Sequence, residues 1–290
     1  MSKLNKRGLT SKYLFKGRLK FKTALHVGGG KINVTNTDNP IVRTPEGFPF
    51  IPGSSFKGAF RSMVEKLAVS IPGLRTCQLI EDEESFKGKS DEECLRIIEN
   101  KDADYCPTAI HKEFAKWKQN KTETELITML EDKLCNTCTL FGSPYMASKI
   151  TFHDLKIGDW AGVTQIRDGV VIDRDSERAK DRLKYDFEVV PPDAAFDMEI
   201  WLENPNPTDM GLTCIGLNEF LSEMAYLGGI KSRGLGNCRI KDLEIYELNL
   251  ETDKKEERLM KYLTHTKPED KMENISDPSH FIQTQIEALF

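Results

Sequence analysis

The fold of this 290-residue chain is decided by the stretch Leu25–Arg61, LHVGGGKINVTNTDNPIVRTPEGFPFIPGSSFKGAFR. It contains a strand end, three consecutive glycines, a polar loop and the start of a helix. Ser54 and Ser55 stand where an N-cap is expected, so the free backbone N–H groups of the helix are predicted to face the loop. A helix N-terminus with Lys57 and Arg61 in its first turns favours phosphate oxygens, but the same pattern also describes an ordinary strand-to-helix connection.

Charge is distributed unevenly along the chain. The 41 basic and 46 acidic residues give a net charge of −5, which by itself argues against nucleic acid. However, the first 22 residues carry eight basic residues and no acid, whereas acids concentrate in 81–93 and 244–257. A basic face with acidic outer elements is compatible with phosphate binding. The alternative is an ordinary solvated surface.

Cysteine usage and hydropathy indicate the cellular context. Seven cysteines without secretory context favour a reducing compartment and argue against a disulfide framework. No apolar run approaches the length of a membrane span, and the N-terminal stretch has no signal-peptide core. We therefore expect a cytoplasmic protein without membrane partners.

Periodicity predicts a core interrupted by insertions. The predicted elements are a strand over 13–27, a helix over 54–70, a helical insertion over 71–148, a strand over 149–157, a hairpin over about 165–190, a strand over 196–202, a helix over 212–227, a strand over 238–248 and a closing helix over 279–290. Residues 250–278 are predicted to form a mobile tail or docking segment. Without the insertions the order is βαββαβ, which predicts an α+β protein of the ferredoxin-like, RNA-recognition-motif-like class.

The insertion contains a candidate metal site. It is predicted to have little core of its own, and small modules of that kind usually need a staple. Cys135 and Cys138 are two residues apart, which lets both sulfurs reach one Zn²⁺. Cys106 supplies a third ligand and Cys77 or His111 the fourth; we prefer Cys77 because it lies where the chain leaves the core helix. Four ligands leave no open position for substrate, so the predicted zinc is structural. The other cysteines are predicted to be packed: Cys94, Cys214 and Cys238.

Five motifs in a fixed order suggest a family. They are LHVGGG, TDNPIVR, FIPGSSFKGAFR, CNTCTLFGS and GGIKSRGLGNCRI. Together they resemble the RAMP superfamily, and within it the backbone subunits of type III CRISPR effector complexes. The resemblance covers most of residues 14–248.

The resemblance implies an RRM-like palm (1–70 and 149–249), a helical zinc-containing lid (71–148) and a thumb hairpin (about 165–190). A charged C-terminal tail (250–290) would follow. Copies of such a subunit stack along a guide RNA (crRNA) beside other type III effector proteins. Their thumbs push between guide and complementary target RNA, so that one nucleotide is displaced at each thumb.

In cleaving members, an Asp in the loop after the first strand cuts the target, and the matching position here is Asp38. A carboxylate beside a displaced nucleotide can bind Mg²⁺ or another divalent ion, or help activate the 2′-hydroxyl. Alternatively, Asp38 is only an Asx-turn residue before Asn39-Pro40, and the subunit is a non-catalytic scaffold. His26 is a rival candidate for a ribonuclease that processes guide precursors, although a structural histidine is commoner at a strand end.

The predicted RNA contacts lie at the helix start and in the second glycine-rich loop. They are Ser54, Ser55, Lys57, Arg61, Gly229, Lys231, Ser232, Arg233 and Gly234. Phosphate contacts of this kind supply affinity without sequence information, as a guide carrier requires.

Overall fold

A computed structural model describes residues 8–29, 37–77, 86–100, 102–173 and 178–290, and side chains at 170–173 and 178–184 lie outside the description. The strands are β1 (Ser11–Phe21), β2 (Phe50–Ile51), β3 (Ile150–Phe152), β4 (Leu155–Lys156), β5 (Gln165–Asp173), β6 (Arg178–Val189), β7 (Ala195–Glu203), β8 (Cys238–Asn249) and β9 (Glu273–Asn274). The helices are α1 (Gly53–Ala68), α2 (Asp91–Glu99), α3 (His111–Trp117), α4 (Glu123–Lys133), α5 (Asn136–Phe141), α6 (Pro207–Leu221), α7 (Lys255–Thr264), α8 (Pro268–Lys271) and α9 (Pro278–Glu287). The protein is therefore of mixed α and β structure.

An antiparallel sheet forms the centre of the molecule. Its strand order is β3-β7-β1-β8-β9, and β1 pairs with both β7 and β8. Along β1, Phe15, Leu19 and Phe21 are fully buried, whereas the charged residues Lys16, Arg18 and Lys20 are exposed. This period of two places the apolar side chains on one face of the sheet, against the helices. Two smaller sheets accompany it, β2 with β4 and β5 with β6.

Aromatic side chains join α1 and α6 beneath this sheet. Phe56 and Phe60 lie 5.2 Å and 6.0 Å from the ring of Phe220. A Cβ at Gly216 would lie 2.2 Å from the Phe60 ring, so glycine is what allows the helix and the ring to approach this closely.

The start of α1 differs from the prediction. The helix begins at Gly53 with Pro52 at the N-cap, and the Gly53 N–H donates to Asp154 Oδ1 at 2.7 Å. The prediction that Ser54 or Ser55 caps the helix is therefore wrong. Both serines lie inside the first turn of the helix and are exposed. A side chain from the β3–β4 connection satisfies the first N–H instead.

The boundaries of α6 also differ from the predicted 212–227. Asn206 caps the helix in a capping box with Asp209, and Pro207 occupies the first turn. This N-terminal signal is present in the sequence. The helix ends at Leu221, and the chain then turns back through Tyr226, which bridges to Asn237.

The segment between α1 and β3 has a core of its own, which corrects the prediction of little core. The buried residues of this core are Phe86, Cys94, Ile98, Tyr105, Cys106, Ala109, Ile110, Phe114, Trp117, Leu130, Leu134, Cys135 and Cys138. Cys94 is packed here, as predicted, while Cys214 and Cys238 are packed in the main core. Burial raises the pKa of the Cys214 thiol to about 12, as expected for an inert structural cysteine.

Of the two predictions for residues 250–278, the mobile tail is wrong, and the docking segment stays a prediction. The segment forms α7, α8 and β9, and β9 extends the central sheet through the pair Tyr246 and Asn274. The predicted closing helix is present as α9, which packs on α6; a Cβ at Gly211 would lie 2.6 Å from the Leu289 side chain. Among the helices in the described ranges, none combines the length and apolar character needed to span a bilayer.

Candidate nucleic-acid interface and metal centre

Asp38 lies at the base of the β5–β6 hairpin. Its backbone N–H donates to Asp186 Oδ1 at 2.7 Å, and the N–H of Asp186 donates back to Asp38 Oδ2 at 3.1 Å. The side chain of Asp38 is exposed. This reciprocal pair holds an accessible carboxylate at a defined place beside the β5–β6 hairpin.

A buried carboxylate, Glu188, fastens the rest of the loop to the same strand. It accepts hydrogen bonds from the Ile41 N–H (3.1 Å), the Thr164 hydroxyl (2.5 Å) and the guanidinium of Arg43. Burial alone raises the pKa of Glu188, but these three donors outweigh that effect and hold the pKa below its usual value. Glu188 therefore remains ionised at neutral pH and holds the loop that follows Asp38 in place.

His26 has a structural position. It is buried, and its Nδ1 lies 2.7 Å from the carbonyl oxygen of Glu188, which assigns the proton to Nδ1. The ring packs edge-on against Phe187 at 5.9 Å. The backbone carbonyl of His26 accepts the N–H of Gly229 at 2.8 Å. These contacts join the first strand end, the hairpin and the second glycine-rich loop.

The second glycine-rich loop presents an exposed turn. Lys231–Arg233 form a 3₁₀ turn between two residues in the left-handed region, Ile230 and Gly234. Arg233 donates to the Tyr185 hydroxyl and lies 5.8 Å from that ring, so the loop also contacts β6. Lys231, Ser232, Arg233 and Gly234 are exposed on this turn.

We expect Gly236→Ala to destabilise the protein more than Gly234→Ala. Both residues have positive φ, 83° and 87°, which costs an L-residue about 1–2 kcal/mol. A Cβ at Gly236 would also lie 1.9 Å from the Leu227 carbonyl oxygen, whereas at Gly234 no atom of the described chain lies within 4 Å. Denaturant unfolding of both variants measures the difference. Equal losses of unfolding free energy in the two variants would show that the backbone near Gly236 moves to accommodate the added Cβ.

Lys57 and Arg61 lie one turn apart on α1 and have different surroundings. Lys57 Nζ lies 3.1 Å from the Ser148 hydroxyl, and burial, followed by the charge of Arg61, lowers its pKa. Within the described part of the chain, Lys57 has no acidic partner in an ion pair. The Arg61 side chain is 11% exposed, and its Nε donates to Glu65 at 2.7 Å.

The basic residues of β1, and Lys22 directly after it, are mostly neutralised, unlike Lys57. Their ion pairs are Lys12–Glu203 (2.8 Å), Arg18–Asp242 (2.6 Å), Lys20–Asp193 (3.2 Å) and Lys22–Glu223 (3.2 Å). The N-terminal run thus forms a surface of mixed charge where the structure describes it. Residues 1–7 of that run, and Gly30 of the first glycine motif, lie outside the described residues.

Four sulfurs converge where α5 meets the end of the α1 connection. The Sγ atoms of Cys77, Cys106, Cys135 and Cys138 all lie within 4.8 Å of one another. The reciprocal backbone and side-chain bonds between Arg75 and Asn136 hold the two arms of this cluster together.

The cluster has the donor set of a closed zinc site. Four tetrahedral Zn–S bonds place sulfurs about 3.8 Å apart, close to the observed separations. Hydrogen bonds from Cys106, Cys138 and Cys77 lower the pKa of Cys135, and the same contacts raise the pKa of Cys77, so the proximity of the four sulfurs, and not their pKa values, indicates a metal. His111 is exposed at the start of α3, and its carbonyl accepts the Tyr145 hydroxyl.

The predicted residues fall into three places. Asp38 and the 229–234 loop both contact β6. The predicted serines, Lys57 and Arg61 lie on the first turns of α1, and the four cysteines form one cluster. Sequence reasoning missed the partners on the hairpin, namely Tyr185, Asp186 and Glu188, and also Arg43. Asp186, Glu188 and Arg43 act through contacts across 145 to 148 residues, and Tyr185 through one across 48, so no local motif marks them.

Comparison with known proteins identifies the family. A family model described as the RAMP superfamily matches residues 18–239. Three relatives carry the name CRISPR system Cms endoribonuclease Csm3. That of Methanocaldococcus jannaschii is 38% identical over 60 residues (20% of this chain, 24% of the relative), and that of Methanothermobacter thermautotrophicus is 45% identical over 56 (18% and 23%). That of Enterococcus italicus is 42% identical over 66 residues (22% and 31%).

The aligned segments thus span between 23% and 31% of these relatives. The family model, in contrast, reaches from the middle of β1 to the start of β8 and includes the Asp38 loop, the cysteine cluster and the second glycine-rich loop. This chain belongs to the RAMP superfamily.

Proposed function

We propose that this protein is a backbone subunit of a type III CRISPR effector complex in the cytoplasm. It binds guide RNA along its sheet and glycine-rich loops, and it cleaves complementary target RNA at a displaced nucleotide. The family match and the names of the three relatives support the complex. The observation that carries the cleavage proposal is the exposed Asp38 carboxylate, held by Asp186 at the base of the hairpin.

The architecture supports the same proposal. The four main strands β3, β7, β1 and β8 lie in the antiparallel order expected when a βαββαβ chain folds into a ferredoxin-like palm. On this basis the β5–β6 hairpin is the thumb, and the helices between α1 and β3 are the lid. A thumb that displaces one nucleotide places the 2′-hydroxyl next to the residue at its base.

The chemistry follows from that placement. Displacement of a nucleotide lets its 2′-hydroxyl align with the scissile phosphate. Holding the two groups in this alignment removes a large part of the activation barrier. A carboxylate can accept the hydroxyl proton or hold a divalent ion such as Mg²⁺. Asp38 would perform one of these roles.

A scaffold without cleavage is the second candidate, and one observation favours it. The Asp38 carboxylate already accepts the Asp186 N–H, which is a sufficient structural reason for an acid in this turn. A precursor-processing ribonuclease is a weaker candidate, because His26 is buried and donates from Nδ1 to a backbone carbonyl.

Guide RNA would contact the cations that the protein itself leaves unneutralised. In the described ranges, neither Lys57 nor Lys231 forms an ion pair, in contrast to the paired lysines of β1. Ser54, Ser55, Lys57, Gly229, Lys231, Ser232, Arg233 and Gly234 form the proposed RNA-binding set, and Arg61 stays a prediction because its guanidinium already has protein partners.

Replacing Lys57 with Ala is expected to weaken guide retention and to lower the salt slope of binding by about 0.7 per lost phosphate contact on single-stranded RNA. Arg233→Ala is expected to do the same. Lys20→Ala is the matched control, since Lys20 is paired with Asp193. Filter binding of guide RNA across a salt series measures all three; an unchanged slope removes that residue from the RNA-binding set.

We propose that zinc occupies the four-cysteine cluster, where its role would be structural. Three of the four sulfurs belong to the core of the segment between α1 and β3. A bound ion would therefore join Cys77, at the end of the α1 connection, to that core.

The proposed function is tested with the assembled complex, a guide RNA and a complementary target RNA labelled at one end. With Mg²⁺ we expect cuts at regular positions, one for each copy of the subunit. A target without complementarity serves as the control. Binding of the complementary target without any cut would leave the scaffold as the function.

A further inference from the structure

We propose that Arg61 is the charge partner of the metal centre and donates a hydrogen bond from its guanidinium to the sulfur of Cys138. This inference rests on the proposed metal site. It assigns to a residue of the core helix α1 a part in metal binding that its position in the sequence, sixteen residues before the first cysteine, does not suggest.

The guanidinium is held in one orientation. Its Nη2 lies 3.5 Å from Cys138 Sγ, its Nη1 donates to the Gly142 carbonyl at 3.2 Å, and its Nε donates to Glu65 at 2.7 Å. The planar group also lies 5.7 Å from the ring of Phe141. A side chain that is bound on three edges and 11% exposed has little freedom to leave the sulfur.

Charge explains why a cation is needed here. Four thiolates around one divalent ion carry two net negative charges, and Cys138 is fully buried. A buried charge without a partner is costly. The guanidinium stays protonated at every physiological pH and supplies directed N–H donors, so it compensates part of this charge at the sulfur itself.

Glu65 holds the guanidinium of Arg61 in this orientation. The i,i+4 ion pair occupies the Nε edge, which leaves Nη1 and Nη2 directed toward Gly142 and Cys138. Lys57, one turn earlier, donates to the Ser148 hydroxyl, and among the described residues it forms no hydrogen bond to a cysteine sulfur. The two residues on either side of Arg61 on the same helix face thus provide matched controls.

The test uses the full chain. Zinc content of the wild type is measured first, and zinc affinity is then determined by competition with a chromophoric chelator for Arg61→Gln, Arg61→Lys, Lys57→Gln and Glu65→Gln. We expect Arg61→Gln to bind zinc roughly 10- to 100-fold more weakly, the range found when outer partners of metal ligands are removed. Arg61→Lys keeps the positive charge but lacks the directed N–H donors of the guanidinium, so its zinc affinity should lie between those of the wild type and Arg61→Gln. The other two variants should match the wild type.

Cobalt substitution supplies a second readout that helix stability does not affect. Loss of a hydrogen bond to sulfur should shift the sulfur-to-cobalt charge-transfer band in Arg61→Gln, and Glu65→Gln should leave the band in place. Equal zinc affinities in Arg61→Gln and Lys57→Gln would overturn the inference. So would a loss in Glu65→Gln as large as in Arg61→Gln, since helix packing would then explain both. A wild type without bound metal would instead remove the proposed zinc site.

Discussion

Replacing Asp38 with asparagine is expected to abolish cleavage of a guide-complementary RNA at the positions this subunit serves, while binding of that RNA persists. Asparagine keeps an oxygen that can accept the Asp186 N–H, so the loop stays in place. It has lost the negative charge that holds a divalent ion or accepts a proton. General acid–base roles contribute roughly 10²- to 10⁴-fold, and we expect a loss of that order.

Asp38→Ala separates the structural from the chemical role. Alanine removes the acceptor as well, which costs about 1 kcal/mol of folding stability for a typical hydrogen bond. If Asp38 is catalytic, both variants lose cleavage and only Asp38→Ala loses stability. If Asp38 is a turn residue of a scaffold, neither variant changes the cut pattern.

Asp186→Asn is the matched control for this experiment. It removes the other carboxylate of the reciprocal pair and keeps an acceptor for the Asp38 N–H. Single-turnover cleavage of end-labelled RNA, with binding measured on the same samples, distinguishes the three variants. Equal losses in Asp38→Asn and Asp186→Asn would assign the chemistry to the pair and not to Asp38 alone.

Replacing Cys135 with serine is expected to abolish binding of the proposed metal and to unfold the segment between α1 and β3. Cys135 lies within the four-sulfur cluster and is 1% exposed. Structural zinc sites supply apparent free energies of about 10–16 kcal/mol in small peptides, so the segment should lose much of its stability with the ion. Elemental analysis measures the zinc, and limited proteolysis over 71–148 measures the local unfolding.

Cys94→Ser is the control for Cys135→Ser. Cys94 is buried in the same hydrophobic core but lies outside the sulfur cluster. We expect it to keep its zinc and to show only the modest cost of burying a hydroxyl. The metal site would be contradicted if both variants retained the same metal content and the same protease resistance, or if a strong chelator left the wild type unchanged.

The sequence alone predicted the mixed α and β structure and the four cysteines that form the cluster. Alternation along β1 and helical spacing along α1 predict the elements because the apolar period of each element is local. The two-residue spacing of Cys135 and Cys138 predicts a metal site for the same reason, and the choice of Cys77 agrees with the observed cluster. The glycine-rich motifs mark turns that only glycine permits, as Gly236 shows.

The sequence-based predictions for the start of α6 and for a mobile tail over 250–278 were wrong for different reasons. The cap of α6 was visible in Asn206, Pro207 and Asp209, but the apolar run that begins later dominated the prediction. The segment 250–278 looked polar enough to be mobile. It is ordered because Met272 and its neighbours complete a small core on the outer side of β8, and a short polar segment gives little sign of such a partner.

Tertiary structure alone decided how the candidate site is assembled. Asp38 meets Asp186, Arg43 meets Glu188, and Arg61 meets Cys138 only after segments between 77 and 148 residues apart are folded together. The sequence does not show whether a charged side chain is free, forms an ion pair or is directed at a sulfur. Lys20 and Lys57 are an example, since one is neutralised by Asp193 and the other has only the Ser148 hydroxyl. The physical reason is that charge compensation depends on distance in space, which the order of residues does not contain.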